Sequence, residues 1–168
     1  MKGKLVIVMV GLPARGKSTM ARKLGRTLEM DGVRVRIFNN GELRRKLDTD
    51  FSTSSSEFFS PANVQGKEMR ERISQLNIEQ AQAFLQEGGE VAVIDASNVT
   101  RERRRNIDAA FPALPMLYVE CVNADEEALE ANLERKAGLK EFRHLSREKA
   151  LESFVRRIHY YESIYEPL

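Results

Sequence analysis

Six apolar residues, Leu5-Val-Ile-Val-Met-Val10, run without a break into Gly11. No other junction constrains the fold as much. An uninterrupted, largely β-branched run this short reads as a central parallel strand covered on both faces. The next eight residues, Gly11-Leu-Pro-Ala-Arg-Gly-Lys17-Ser18, fit G-x-x-x-x-G-K-[ST] without a mismatch. Met20, Ala21, Leu24 and Leu28 then recur at helical spacing as far as Asp31-Gly32, which predicts a helix over 17–30. Strand, glycine loop and helix in this order hold phosphate. Gly11 and Gly16 let the backbone curl so that successive N–H groups point inward. The helix amino terminus adds positive potential. Lys17 is placed for the β- and γ-phosphates of a nucleotide and Ser18 for magnesium.

The rest of the chain alternates in the same way. Strands are expected over 33–38, 90–95 and 116–122. Helices are expected over 42–47, from Ser60-Pro61 to Glu87, over 100–111, from an Asp125 cap to Ala137, and from Ser146 onward. Residues 48–60, with Thr-Ser-Ser-Ser and little periodicity, read as a mobile loop, and 138–145 as a second loop. The fold class is therefore α/β, a P-loop NTPase-type three-layer sandwich with a mostly parallel central sheet. A length of 168 residues with 42% apolar side chains suits one domain over 1–168. Such a composition excludes disordered, collagenous and disulfide-scaffold chains. The lone cysteine, Cys121, makes no internal disulfide and suggests a reduced, cytoplasmic protein. Lys2 and Lys4 before the apolar run imitate an export signal, but six apolar residues are too few for one, or for a membrane span.

Asp95 ends the third strand, so its carboxylate is expected at the carboxyl edge of the sheet beside the glycine loop. There it would hold magnesium or take the proton of an attacking hydroxyl; the plainer alternative is a strand-ending Asp at a turn. Basic residues fall in three groups: Arg44-Arg45 after strand two, Arg70 and Arg72 on the long helix, and Arg101, Arg103, Arg104 and Arg105 after Asp95-Ala-Ser-Asn98. Each is either part of an anion site or a solvated face, and Glu102 could absorb part of the third group. Lys136, Arg157 and Tyr161 are further candidates, Arg157 and Tyr161 sharing a helix face. His144 and His159 lack metal-ligand spacing and read as structural, as does Cys121 in a strand. No Asn-Lys-x-Asp guanine signature is present, which lowers a GTPase reading. A short chain with this loop is most simply a phosphotransferase.

The residues together resemble the kinase domain of 6-phosphofructo-2-kinase/fructose-2,6-bisphosphatase. Gly11-Leu-Pro-Ala-Arg-Gly-Lys17, Asn40-Gly-Glu-Leu-Arg-Arg45, Glu57-Phe-Phe-Ser-Pro61, Asp95-Ala-Ser-Asn-Val-Thr-Arg-Glu-Arg-Arg104, Arg147-Glu-Lys149 and Tyr160 to Leu168 carry the likeness, over nearly the whole chain. The resemblance implies ATP and Mg2+ on Gly11, Leu12, Pro13, Ala14, Arg15, Gly16, Lys17, Ser18 and Thr19, with Asn132 also at the nucleotide. It implies catalytic roles for Lys17 and Asp95, with Ser18 and Asp95 at the metal. Fructose 6-phosphate would lie on Arg44, Arg45, Arg70, Ser97, Arg103, Lys136, Arg157 and Tyr161. The family has threonine where this chain has Ser97, and its active-site cysteine falls about two residues beyond Cys121, which is given no catalytic role. The sequence stops where the family continues into a phosphatase domain, so no phosphatase activity is expected.

The expected reaction is transfer of the ATP γ-phosphoryl group to the 2-hydroxyl of fructose 6-phosphate. A homodimer is compatible with it, and no membrane partner is expected. One alternative is another acceptor, such as a polynucleotide 5′-hydroxyl; the absence of Trp and only 7% aromatics make a nucleic-acid partner the weaker reading. A second alternative is a nucleotide-binding regulatory module with little turnover.

Overall fold

The computed structural model describes residues 3–48 and 52–168. Four strands, β1 (Leu5–Val10), β2 (Val35–Asn39), β3 (Val91–Asp95) and β4 (Met116–Glu120), form one parallel sheet in the order β2-β3-β1-β4. The register sets Leu5 beside Val91 and Asn39 beside Asp95, so β1, β2 and β3 finish together at one edge.

Alternation along β1 builds the layers. Val6, Val8 and Val10 face Ile78, Ala81 and Leu85 of α3 (Val64–Gln86) and Ile107 of α4 (Arg101–Ala110). Ile7 and Met9 face the opposite way, toward Ala21 and Leu28 of α1 (Lys17–Met30). Both faces of β1 are thus dry, which is why its sequence is apolar throughout. Helix layers on either side of the sheet make the expected three-layer sandwich.

A third apolar cluster lies beyond the sheet. Phe142 joins Ala150, Phe154 and Ile158 of α6 (Arg147–Glu162), with Leu129 and Leu133 of α5 (Glu126–Ala137) packed against them. Ala14, from the glycine loop, belongs to this cluster and to neither sheet face. The expected caps are present: Asp125 accepts from the Ala128 amide and Ser146 from the Lys149 amide.

Two expectations about 48–64 change. The long helix starts at Val64 and not at Ser60-Pro61. Asn63 outcompetes Ser60 as its cap because it is anchored twice, accepting from the Gly66 amide and donating to the Glu57 carbonyl. Part of the expected mobile loop is also packed. Ser56–Phe59 form a 3-10 turn, and Ser54, Ser56, Phe58 and Phe59 are buried. Residues 49–51 of that loop lie outside the described ones. Upstream of it, α2 (Asn40–Leu47) brings Arg44 and Arg45 to the sheet edge.

Candidate active site

At the carboxyl edge of the sheet a cleft of about 420 Å3 opens between the glycine loop, α2, α3, the start of α4, and α5 with α6. The glycine loop is shaped by backbone. Gly11 has φ +144°, and a Cβ there would lie 2.7 Å from the Cys121 carbonyl oxygen. Gly16 and Ala14 are also left-handed, at φ 86° and 62°. For alanine this conformation costs on the order of 1 kcal/mol. The loop is held at Ala14 from behind, where the carbonyl accepts from Asn132 Nδ2 at 2.9 Å.

Lys17 is 8% exposed, and its ammonium donates to the Leu12 carbonyl at 2.6 Å. Burial pulls its pKa down to about 8, against the opposing pull of Asp95. Asp95 is 3% exposed. Its Oδ2 accepts from Asn39 Nδ2 at 2.5 Å, and the same Nδ2 lies 3.3 Å from Ser18 Oγ. One amide thus gathers the Ser18 hydroxyl and the Asp95 carboxylate. Asn39 Oδ1 meanwhile accepts from the Glu42 amide and caps α2. No sequence pattern singles out Asn39, since Asn39-Asn40-Gly41 reads as a turn.

Among the described residues no group of three or more His, Cys, Asp or Glu side chains is placed to hold a metal ion. Ser18 and Asp95 nevertheless offer two convergent hard oxygens. That suits Mg2+, which keeps water and takes its remaining ligands from substrate phosphates.

The other half of the cleft is cationic. All eight residues expected to hold the acceptor (Arg44, Arg45, Arg70, Ser97, Arg103, Lys136, Arg157 and Tyr161) line it. Of the nucleotide set, Pro13, Ala14, Gly16, Lys17, Ser18 and Thr19 line it, whereas Gly11, Leu12, Arg15 and Asn132 do not. Arg72, Arg101 and Arg105 point to solvent. Arg104 is buried as a structural strut, donating to the carbonyls of Asn98 and Pro167.

Arg44 is nearly inaccessible, and three partners hold it: the Thr53 carbonyl, the Thr53 hydroxyl and Glu141 Oε2 at 2.6 Å. Glu141 also faces Arg45 at 3.5 Å. It was not singled out in the sequence, because it lies in an irregular segment 97 residues from Arg44. Phe59 is flanked by two guanidinium groups, Arg157 at 3.7 Å and Arg44 at 5.3 Å from the ring centre. Burial and the charge of Arg44 bring the pKa of Arg157 down to about 10. Lys136 is lowered to about 8 by burial, then by Arg157 and Arg45. Arg70 donates to the Phe58 carbonyl and is lowered by burial. Cys121, just beyond β4, has a thiol raised by burial, although Lys17 opposes the shift.

A glycine loop that feeds a helix, an aspartate at the end of the neighbouring strand and a cationic far wall define a phosphate-loop kinase domain. A solved structure of the APS kinase CysC from Mycobacterium tuberculosis (Cys556Ala mutant) has the same fold, at 18% identity and a TM-score of 0.51 over 80% of this chain and 96% of that one. The family described as 6-phosphofructo-2-kinase matches residues 1–168, and the chain belongs to it. 6-Phosphofructo-2-kinase/fructose-2,6-bisphosphatase 4 of Homo sapiens is 41% identical over 167 residues, 97% of this chain and 35% of that protein. 6-Phosphofructo-2-kinase 1 of Saccharomyces cerevisiae is 35% identical over 172 residues, 98% of this chain and 21% of that protein. The chain thus spans about a third or less of the length of these curated relatives.

Proposed function

We propose that this chain transfers the γ-phosphoryl group of ATP to the 2-hydroxyl of fructose 6-phosphate, giving fructose 2,6-bisphosphate. One observation carries the reading. The cleft is lined by ten Lys and Arg side chains and four Asp and Glu, an excess of six positive charges in a chain whose whole net charge is +2. The glycine loop accounts for one polyphosphate. Arg44, Arg45, Lys136 and Arg157 lie on the far wall, where burial and then the neighbouring cations weaken proton binding at Lys136 and Arg157. Such a wall, continued in the same cleft by Arg70 and Arg103, is stabilised by a second anion, here the 6-phosphate of the acceptor.

The chemistry asked of the residues is mainly placement and charge neutralisation. Lys17 leaves the Leu12 carbonyl for the β- and γ-phosphate oxygens. Mg2+ on Ser18 and Asp95 would neutralise charge on the transferring group. Asp95, held by Asn39, lines the same cleft; if it does not itself hold Mg2+, it takes up the hydroxyl proton as the oxygen attacks. Charge-assisted hydrogen bonds from the arginine wall fix the sugar phosphate and are worth roughly 1.5–3 kcal/mol each. Phe59 is covered by Arg157, so it offers no open face for a stacked base. That favours a sugar phosphate over a nucleic-acid end. A cytoplasmic, thiol-reducing setting suits the single free cysteine. Among the described residues no helix is long and apolar enough to cross a membrane.

The test is product identity. Protein, Mg-ATP and fructose 6-phosphate are incubated with Lys17→Ala as control, and phosphorus NMR identifies the product. An acid-labile 2-phosphate formed only with Lys17 present is expected. Unchanged sugar with ATP still bound would redirect the search to another acceptor. Arg70→Ala and Arg103→Ala should each lower kcat/KM for the sugar phosphate about tenfold to a hundredfold.

A further inference from the structure

Arg103 is half engaged. Its side chain is 16% exposed, and its Nη2 donates to Oε1 of Glu71, which is 47% exposed and reaches across the cleft mouth from α3. The Nε of the same guanidinium is buried and without a hydrogen-bond partner. Nε and Nη2 form one edge of the guanidinium, and a phosphate is gripped by two parallel N–H···O bonds along such an edge. Glu71 therefore holds one prong of the fork while the other is empty. Its charge also reaches Arg70: burial and Arg103 weaken proton binding there, and Glu71 offsets them.

We propose that Glu71 is a resident counter-ion that the acceptor's phosphate displaces from Arg103, and that it sets the affinity and charge selectivity of the acceptor site. The proposal deepens the sugar-phosphate reading and rests on it. In the empty cleft Glu71 screens Arg70 from Arg103 and keeps the Arg103 fork in place. A neutral sugar has no charge with which to compete for Arg103. A phosphate carrying close to two negative charges takes both Nε and Nη2 and releases Glu71 to water, where its exposure already leaves it half solvated. The carboxylate thus disfavours weakly charged acceptors more than strongly charged ones.

Calorimetric titration of fructose 6-phosphate into wild type, Glu71→Gln, Arg103→Ala and the double variant tests this. The phosphate loop is first filled with a non-hydrolysable ATP analogue. Glu71→Gln is isosteric and largely exposed, so it should fold normally. It should tighten fructose 6-phosphate about two- to fivefold, the range set by a partly exposed ion pair. It should leave KM for ATP unchanged, and its effect should vanish in the Arg103→Ala background. Weaker or unchanged binding in Glu71→Gln, or the same gain without Arg103, overturns the proposal. Inorganic phosphate titrated into the same four proteins separates the two readings. If wild type neither binds nor phosphorylates fructose 6-phosphate, yet inorganic phosphate still binds Glu71→Gln more tightly through Arg103, the sugar reading fails and the counter-ion role stands.

Discussion

Asn39 does two jobs with one side chain: its oxygen caps α2, and its nitrogen holds Asp95 beside Ser18. Two substitutions separate these jobs. Asn39→Ala loses both, and should cost about 1 kcal/mol for the cap and on the order of tenfold in kcat. Asn39→Asp keeps the cap but sets a second carboxylate against Asp95. The cap of α2 survives while kcat falls further; equal kcat in the two variants would remove Asn39 from the positioning of Asp95. The lysines give a pH signature. Lys17 and Lys136, each at about 8, lose their protons well before an ordinary lysine. In free protein kcat/KM for both substrates should therefore decline above about pH 8, and a profile flat to pH 10 would contradict it. Stability moves the opposite way. The folded protein sheds these two protons near pH 8 whereas the unfolded chain keeps them to about 10.5, so their contribution to stability rises across that interval. At this scale the glycine loop and Asp95 were legible because motif and strand context coincide. Asn39, Glu141 and Glu71 were not, because what matters in each is a partner far away in the chain.

Among the elements, the 3-10 turn Ser56–Phe59 packs directly against the cationic wall. It carries Phe59 beneath Arg157 and supplies the Phe58 carbonyl to Arg70. It meets α3 at Gly66, where an added Cβ would fall 2.5 Å from the Phe58 carbonyl oxygen. Gly66→Ala should push the turn outward, at a cost of about 1–3 kcal/mol. KM for the sugar phosphate should rise while KM for ATP holds; a matched rise in both would show that the damage is global. The strands and most helices could be read from the sequence, since apolar period and caps are local signals. Asp125 and Ser146 cap as their positions suggest. This turn could not be read, because its order comes from burying two phenylalanines under distant arginines. Ser60-Pro61 looked like a helix start for a similar reason: the deciding bond, Asn63 to the Glu57 carbonyl, ties the helix to a turn that the sequence pattern does not reveal.

At the scale of the molecule, the two halves of the site share a support. Ala14 of the glycine loop packs with Phe142, Phe154 and Ile158, while Lys136, Arg157 and Tyr161 are carried by the helices of that same cluster. Phe154→Ala should cost about 3–5 kcal/mol and weaken nucleotide and sugar phosphate together, read as parallel rises in both KM values. Weakening of one substrate alone would mean that the halves are supported separately. The last residues have a consequence for how the protein comes into being. Arg104 ends on the Pro167 carbonyl, the Glu166 amide donates to the Val99 carbonyl, and Tyr165 reaches Glu120 at the end of β4. The first two fastenings brace the turn that follows Asp95, and the third ties the same segment to the end of β4. During synthesis the sheet has its four strands once residue 120 has left the ribosome, but this brace arrives some forty-five residues later. A nascent chain halted at residue 160 would hold a formed sheet and a glycine loop able to meet nucleotide. Its acceptor edge would still be slack, so the domain should acquire nucleotide binding before it acquires phosphoryl transfer.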